Sequence, residues 1–231
     1  MRILLKLSGE SLAGAAGSGF SMEGMQRFAG EVKSAVSEGA EVAIVVGGGN
    51  IFRGMQGLSA GFQRAKGDQM GMLATVINSM AFAQVLESVG QPATVFTSTP
   101  MQPIASYYTL DAANAALAEG RVALIGGGTG NPYFTTDSAA ALRACELQCD
   151  VLAKGTRVDG VYDKDPEKYG DAVRFDELTF QEAYSRKLRI MDLTAFTLCQ
   201  ENGVPIVVFN INTSGALLQI AQGKAVGTRV R

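Results

Sequence analysis

Apolar positions fall along this chain in two alternating rhythms. Short apolar runs at residues 3–7, 42–46, 93–96, 122–125, 151–154 and 206–209 predict buried strands. Between them, apolar residues return at helical spacing. Met22, Met25, Phe28, Val32, Ala35 and Val36 mark one helix, with Ser21 as its N-cap. Residues 70–86 are apolar on nearly every side, which predicts a helix buried in the core or in an interface between subunits. Shorter helices are predicted at 110–118, 138–147, 193–201 and 215–221. Strands alternating with helices give an α/β fold whose mostly parallel sheet is covered on both faces. No composition shift marks a domain boundary, so 231 residues read as one unit.

Two of the predicted strands run into glycine-rich turns. Residues 122–125 lead into Gly126-Gly-Gly-Thr-Gly-Asn-Pro-Tyr-Phe-Thr-Thr-Asp137, and residues 42–46 into Gly47-Gly-Gly-Asn-Ile-Phe-Arg53. Such a turn lets the backbone approach a ligand and aims unpaired N–H groups, with the helix dipole, at an anion. Thr129, Thr135 and Thr136 add hydroxyls. In parallel sheets ligands bind beyond the carboxyl ends of the strands, where both turns fall. Two anion-accepting turns in one short chain suggest two phosphorylated ligands meeting, which outlines phosphoryl transfer. A third segment, Lys6-Leu-Ser-Gly-Glu10, leaves the first strand. Lys6 reads either as a surface lysine before a loop or as an ammonium placed on a bridging phosphate. Neither a Walker A loop nor G-x-G-x-x-G occurs.

Composition narrows the chemistry. With no histidine, histidine-based serine and cysteine hydrolases and histidine-ligated zinc sites are excluded. A formal charge of -2 with no basic cluster argues against nucleic acid as partner, so a polyanionic ligand must meet a few placed cations. Three cysteines fit reduced thiols. Cys145 and Cys149, four apart on one predicted helix face, read as core side chains rather than a metal pair. The start is too short before Lys6 for a signal peptide, and no apolar run approaches the ~20 residues of a membrane span, so a cytoplasmic protein is expected.

Two acidic features stay open on the residues alone. Asp68 reads as the cap of the long apolar helix, or as a carboxylate accepting from ribose hydroxyls in a nucleotide cleft. Asp159-Gly-Val-Tyr-Asp-Lys-Asp-Pro166 reads as a plain surface turn, or as a purine site in which Tyr162 stacks and Asp165 accepts from the exocyclic amine.

Taken in order, Lys6-Leu-Ser-Gly-Glu, Gly47-Gly-Gly-Asn-x-Phe-Arg-Gly54, Asp68-x-Met-Gly-Met-Leu-Ala-Thr-Val-x-Asn78, Gly128-Thr-Gly-Asn-Pro-x-Phe-Thr-Thr-Asp137, Val158-Asp-Gly-Val-Tyr162 and Met191-Asp-Leu-Thr-Ala195 resemble the bacterial uridylate kinases of the amino-acid kinase superfamily. Each block is shared loosely with other members of the superfamily; the ordered set, spanning the whole chain, is specific. The resemblance implies a three-layer αβα sandwich, usually a homohexamer, that transfers the γ-phosphoryl group of ATP to UMP with Mg2+. It implies an acceptor-binding part over roughly 1–150 and an ATP-binding part over roughly 151–231. On the ATP side it implies Lys6, Leu7, Ser8, Gly9, Gly49, Arg53, Thr156, Tyr162 and Asp165. On the UMP side it implies Gly48, Asp68, Thr129, Gly130, Asn131, Pro132, Tyr133, Phe134, Thr135 and Thr136. The catalytic group it implies is Lys6, Arg53, Asp137, Lys154 and Asp192, with Asp137 holding the lysines and no protein ligand for the metal. At Asp192, kinases with amino-acid acceptors tend to carry lysine, which favours a nucleotide acceptor. Residues 14–20, with Gly14, Gly17, Gly19 and Phe20, resemble a loop associated with activation by GTP, and UTP is the expected inhibitor. Two alternatives stand beside this: another kinase of the superfamily, acting on acetylglutamate or carbamate, and an ATP-binding storage or sensor protein without turnover.

Overall fold

The computed structural model describes residues 1–14, 17–52 and 61–231. The chain runs β1 (Arg2–Leu7), α1 (Gly9–Ala13), α2 (Met22–Ser37), β2 (Glu41–Val46), α3 (Arg64–Ser88), β3 (Ala93–Thr97), β4 (Ser106–Tyr107), α4 (Leu110–Ala118), β5 (Val122–Gly126) and α5 (Thr136–Glu146). It continues with β6 (Val151–Thr156), β7 (Val161–Tyr162), β8 (Arg174–Phe175), β9 (Glu177–Leu178), α6 (Phe180–Ser185), α7 (Leu193–Glu201), β10 (Ile206–Asn210), α8 (Ala216–Ala221) and β11 (Thr228–Val230). Nine strands form one sheet in the order β4-β3-β5-β2-β1-β6-β10-β11-β9. Every pairing in it is parallel except β10 with β11. The strands β7 and β8 pair separately as an antiparallel ribbon.

Parallel strands need crossovers, and the crossover helices supply the outer layers. Ile3, Leu5 and Leu7 pack with Leu12, Phe28, Phe82 and Leu217 of α1, α2, α3 and α8, while Leu4 packs with the α4, α5, α6 and α7 side. This alternation is the period of a strand buried on both faces, and it yields the αβα sandwich. It also sets chemistry: Lys6 shares the parity of Leu4, and Lys154 that of Leu152, so both lysines project from the α5 face. In the β1–β6 register they lie directly opposite one another.

All six predicted strands are present, each extended by a residue or two. The helices hold with two corrections. The long helix begins at Arg64, with Gln63 as its cap, so Asp68 lies in its second turn and does not cap it. Arg64-Ala-Lys-Gly carries no large apolar side chain, so hydrophobic periodicity missed this first turn. Helix α5 ends at Glu146, which leaves Cys149 in the following turn rather than on a shared face with Cys145. Cys149 and Cys199 are buried, and burial pushes both thiols up to about 12, as core side chains require.

Helix α3 also corrects the expectation that no segment approaches membrane length. At 25 residues, with a mean hydropathy of 1.2 over its most apolar stretch, it is long and apolar enough to cross a bilayer. Half of that stretch is buried inside the fold, and it carries buried Thr75, Asn78 and Ser79 against β3 and β5. Those contacts are the ones a core helix makes.

Candidate active site

The carboxyl ends of the parallel strands β1, β2, β5 and β6 lie at one end of the sheet, and two cavities open there. The register pairing of Lys6 with Lys154 sets two ammonium groups side by side, an arrangement that repels unless an anion joins them. Asp137 is that anion. Thr135 caps α5 by accepting from the N–H groups of Asp137 and Ser138, which presents Asp137 in the first turn where the helix dipole favours a negative charge. Its Oδ1 lies 2.8 Å from Lys6 Nζ and its Oδ2 accepts from Lys154 Nζ at 2.8 Å. Lys154 also donates to the Ile190 carbonyl at 2.6 Å. Burial pushes the Asp137 carboxyl up, but Lys6 and Lys154 together outweigh it and hold the group below its ordinary value. For Lys154 burial dominates: despite the attraction of Asp137, its ammonium is held below the ordinary lysine value.

Asp192, expected among the catalytic group, sits behind these three. It caps α7 by accepting from Ala195 N at 2.9 Å, and it accepts from the hydroxyls of Thr135 and Ser138. It therefore ties the N-termini of α5 and α7 together and fixes the turn from which Asp137 projects. Its oxygens are engaged with those donors rather than turned toward the cleft.

The larger cavity, of about 900 Å3, is lined by Lys6, Ser8 and Thr156 from the expected ATP side and by Lys154 of the expected catalytic group, together with Ser11, Arg27, Arg157 and the acids Glu10 and Glu23. Gly14 and Gly17, expected in a regulatory loop, line this same cavity. Gly19 and Phe20 do not. Leu7 turns its side chain into the core, and its carbonyl accepts from Gly47 N at 2.9 Å. Gly9 and Gly49 are absent from the lining. Tyr162 and Asp165 lie beyond β6 on the ribbon and its loop: Tyr162 donates to Asp159, and Asp165 pairs with Lys168 and accepts from Glu167 N. Arg53 lies outside the described residues.

The smaller cavity, of about 140 Å3, gathers Gly48, Asp68, Thr129, Asn131, Phe134, Thr135 and Thr136 from the expected acceptor side. Sequence reasoning missed Phe52, Gly67, Gly71, Met72, Thr75 and Gly128, which also line it; for those on α3, the near-continuous hydrophobicity of the helix hid which of its faces turns to a ligand. Gly48 is where the turn touches α3: a Cβ there would stand 2.8 Å from both Ala74 Cβ and the Gly71 carbonyl. Asp68 accepts from Arg64 Nε and from Tyr133 N, the latter at 2.8 Å. Tyr133 holds a positive φ of 71° to make that bond, a conformation that a non-glycine residue adopts at a cost. Gly130, Pro132 and Tyr133 shape the turn without lining the cavity, and Gly130 N closes the turn on the Gly127 carbonyl.

Support from behind was also not apparent in the sequence. Thr75 Oγ1 accepts from Gly127 N at 2.8 Å, and Ser98 Oγ donates to the Gly128 carbonyl at 2.6 Å. Buried Arg143 donates to Ser98 Oγ and to Glu146 while its guanidinium covers the ring of Tyr108. The glycine turn is thus held through side chains of helices α3 and α5 and of the strand end at Ser98. Among the described residues no cluster of three or more cysteine and carboxylate side chains forms a metal site.

Comparison with known proteins gives a consistent result. The model of the amino acid kinase family matches residues 1–210. The chain is 50% identical to the uridylate kinase of Porphyromonas gingivalis over 229 residues, 99% of this chain and 96% of that protein. It is 49% identical to the uridylate kinase of Parabacteroides distasonis, over 99% and 97% of the two chains. Among solved structures, the UMP kinase from Bacillus anthracis superposes with a TM-score of 0.96 at 35% identity, covering 100% of this chain and 95% of that one.

Proposed function

This chain belongs to the amino acid kinase family, and from that premise we propose that it transfers the γ-phosphoryl group of ATP to UMP, giving UDP and ADP, in pyrimidine nucleotide biosynthesis. The observation that carries the reading is the Lys6–Asp137–Lys154 group at the strand ends, with a large cationic cleft on one side and the Asp68 pocket nearby. Supporting it are full-length relatives named uridylate kinase at about half identity.

In this reading ATP occupies the larger cavity, its phosphates over Lys6, Ser8 and Lys154 and its base toward Thr156, Tyr162 and Asp165, with Arg53 as a further cation. UMP occupies the smaller one, its ribose hydroxyls on Asp68 and its phosphate among Gly48 and the turn 128–136. Phosphoryl transfer asks a protein chiefly to align the reacting oxygens and neutralise charge. Lys6 and Lys154 carry that charge, and Asp137 fixes where they point. The larger cavity sets Lys6, Arg27, Lys154 and Arg157 against Glu10 and Glu23, the smaller one holds Asp68, and among the described residues no three carboxylate or cysteine side chains gather into a metal site. That donor set fits a magnesium ion held by phosphate oxygens and water, not by a protein cage. Bound there, the metal would offset phosphate charge alongside the lysines.

Further expectations belong with this reading. The exposed apolar row Leu73, Ile77 and Met80 on α3 suits burial in the homohexamer that the resemblance implies. GTP activation and UTP inhibition, an acceptor part over roughly 1–150 with an ATP part over 151–231, and a cytoplasmic setting complete it. The test is ADP release, coupled to a second enzyme, with UMP, dUMP, CMP, acetylglutamate and carbamate as acceptors. Turnover confined to UMP supports the assignment. Turnover of acetylglutamate or carbamate, or none at all with any acceptor, defeats it in favour of the other kinases or a non-catalytic nucleotide binder.

A further inference from the structure

Two asparagines meet beside the turn whose Gly48 lines the smaller cavity, and neither lines either cavity. Asn78 of α3 is fully buried, and Asn50, the last residue of the turn 47–50, is 5% exposed. Their side chains form a reciprocal amide pair: Asn50 Nδ2 donates to Asn78 Oδ1 at 3.1 Å, and Asn78 Nδ2 to Asn50 Oδ1 at 2.7 Å. Each amide has a second hydrogen. Asn78 directs it to the Gly47 carbonyl at 2.6 Å, and Asn50 to the Gly19 carbonyl at 2.9 Å. Because both carbonyls can only accept, the NH2 groups must face them, and this fixes the orientation of both amides. A buried polar pair with every hydrogen placed specifies one geometry, and that is costly to disturb.

What it specifies is the turn 47–50. On one side that turn meets the Lys6 segment: Gly47 N donates to the Leu7 carbonyl, and a Cβ on Gly9 would stand 2.3 Å from Asn50 Oδ1. On its other side Gly48 lies against Gly71 and Ala74 of the acceptor helix. The turn is thus the wall common to the Lys6 segment and the acceptor pocket. The loop at residue 19 is joined to it twice, because Gly19 N also donates to the Asn50 carbonyl at 3.3 Å.

We propose that the Asn50–Asn78 pair is a positioning element that sets the distance between donor and acceptor phosphates by fixing the turn 47–50 against both the Lys6 segment and helix α3. It touches neither substrate. It acts on the alignment of the reacting oxygens, where a displacement of the order of 1 Å costs about a hundredfold in rate. This role rests on the phosphoryl-transfer reading.

The test is steady-state kinetics on the full-length protein with Asn78→Asp and Asn78→Leu, each with its thermal midpoint. Both remove the donation to the Gly47 carbonyl; the aspartate keeps the shape and the leucine keeps an apolar fit inside the core. The expected result is kcat reduced about tenfold or more with KM for UMP and ATP within about threefold. A merely structural role would lower the midpoint and leave kcat of the folded protein intact. Should neither variant fold, Asn50→Asp reads the same quantity, since it keeps the oxygen that accepts from Asn78 and loses both donations. A folded variant with kcat within about twofold of the parent, or a loss confined to KM, overturns the proposal. A parent protein that does not phosphorylate UMP overturns instead the function on which it rests.

Discussion

Asp137→Asn isolates the central electrostatic feature of the site. In the parent protein one carboxylate answers two lysines, each 2.8 Å away, with side chains only 11%, 16% and 15% exposed for Lys6, Lys154 and Asp137. Asparagine keeps the shape and one acceptor oxygen but removes the charge, leaving two ammonium groups facing each other across the β1–β6 register. Removing one partner of a buried ion pair costs about 3–5 kcal/mol, chiefly because the remaining charge is stranded. The residual exposure and the retained acceptor place this case at the lower end, near ~3 kcal/mol. For a chain of this size that is about 6 °C in thermal midpoint. The stranded charge makes a sharper prediction than the midpoint does. Lys154→Met removes one of the two stranded charges and with it their mutual repulsion, so the double variant Asp137→Asn/Lys154→Met should be destabilised by clearly less than the sum of the two single changes, with a coupling of about 1.5 kcal/mol or more.

The pH dependence gives an independent check. The Asp137 carboxyl is held below its ordinary value in the folded protein, so the unfolded chain binds its proton more readily. Its stabilisation is therefore fully present above the ordinary carboxylate range near pH ~4 and is lost as pH falls through the lower folded value. The gap between parent and Asp137→Asn should narrow as the solution is acidified below that range. Denaturant unfolding from about pH 7 down to about 3 measures both effects. Additive single changes, or a gap that is constant with pH, would refute the view that one buried carboxylate neutralises both lysines.

Lys6→Ala should lower kcat by about a hundredfold or more while KM for ATP changes far less, as for other donors to a transferring group; a change confined to KM contradicts its placement. Asp68→Ala should weaken UMP about tenfold to a hundredfold and ATP little, with dUMP already a poor substrate of the parent, which competition binding and substrate panels will read. Gly48→Ala should raise KM for UMP and lower the midpoint, because its Cβ meets the backbone of Gly71 as well as the Ala74 methyl, neither of which can swing away; parent-like kinetics would show that the turn and helix separate freely. The alkaline limb of kcat should begin below the ordinary lysine range, because buried Lys154 loses its proton early, and it should move when Lys154 is replaced by arginine.

The layered fold could be read from the chain because the central strands are runs of mainly buried residues and the helices between them carry apolar residues at helical spacing. What was illegible is informative. Strands β4, β9 and β11 have two or three residues and exist only because a neighbour offers an edge, so no local pattern encodes them. Helix α1 was hidden by its opening glycine, although Ser8 caps it through Ser11 N. At the site, Lys6, Lys154 and Asp137 were each visible as a polar residue at the border of an apolar run or a glycine-rich turn. Their junction depends on a register that sequence spacing does not contain. The support from Ser98, Arg143, Asn50 and Asn78 was less visible still, since a polar residue within an apolar helix signals a buried partner without saying which. Tyr162 and Asp165 illustrate the converse: a suggestive motif whose side chains, in this structure, bond to their own turn.

The arrangement of acids around the lysines also bears on what kind of acceptor the site can use. A hydroxyl or amine acceptor must lose a proton during transfer, and a positioned base helps it do so. Here there is no histidine, Asp137 is held ionised by two lysines, and Asp192 is occupied by two hydroxyls and a backbone N–H. Asp68 is bonded to Arg64 and Tyr133 N. Each of these carboxylates is engaged in holding structure, and for Asp137 the two lysines hold the carboxyl below its ordinary value. An acceptor that arrives already ionised avoids the difficulty. A nucleoside monophosphate does so as the pH rises through ~6, the midpoint of its second phosphate ionisation, and what it then needs is relief from repulsion by the donor. Two lysines fixed on one carboxylate provide that relief, so the same buried group that costs the fold a desolvated charge also suits the site to a phosphate nucleophile. The rate should accordingly rise with ionisation of the acceptor between about pH 5 and 7. With a UMP analogue of more acidic phosphate, the acid limb should shift down by the difference between the two acceptor pKa values. A limb that stays in place would mean that one of these carboxylates does accept a proton after all.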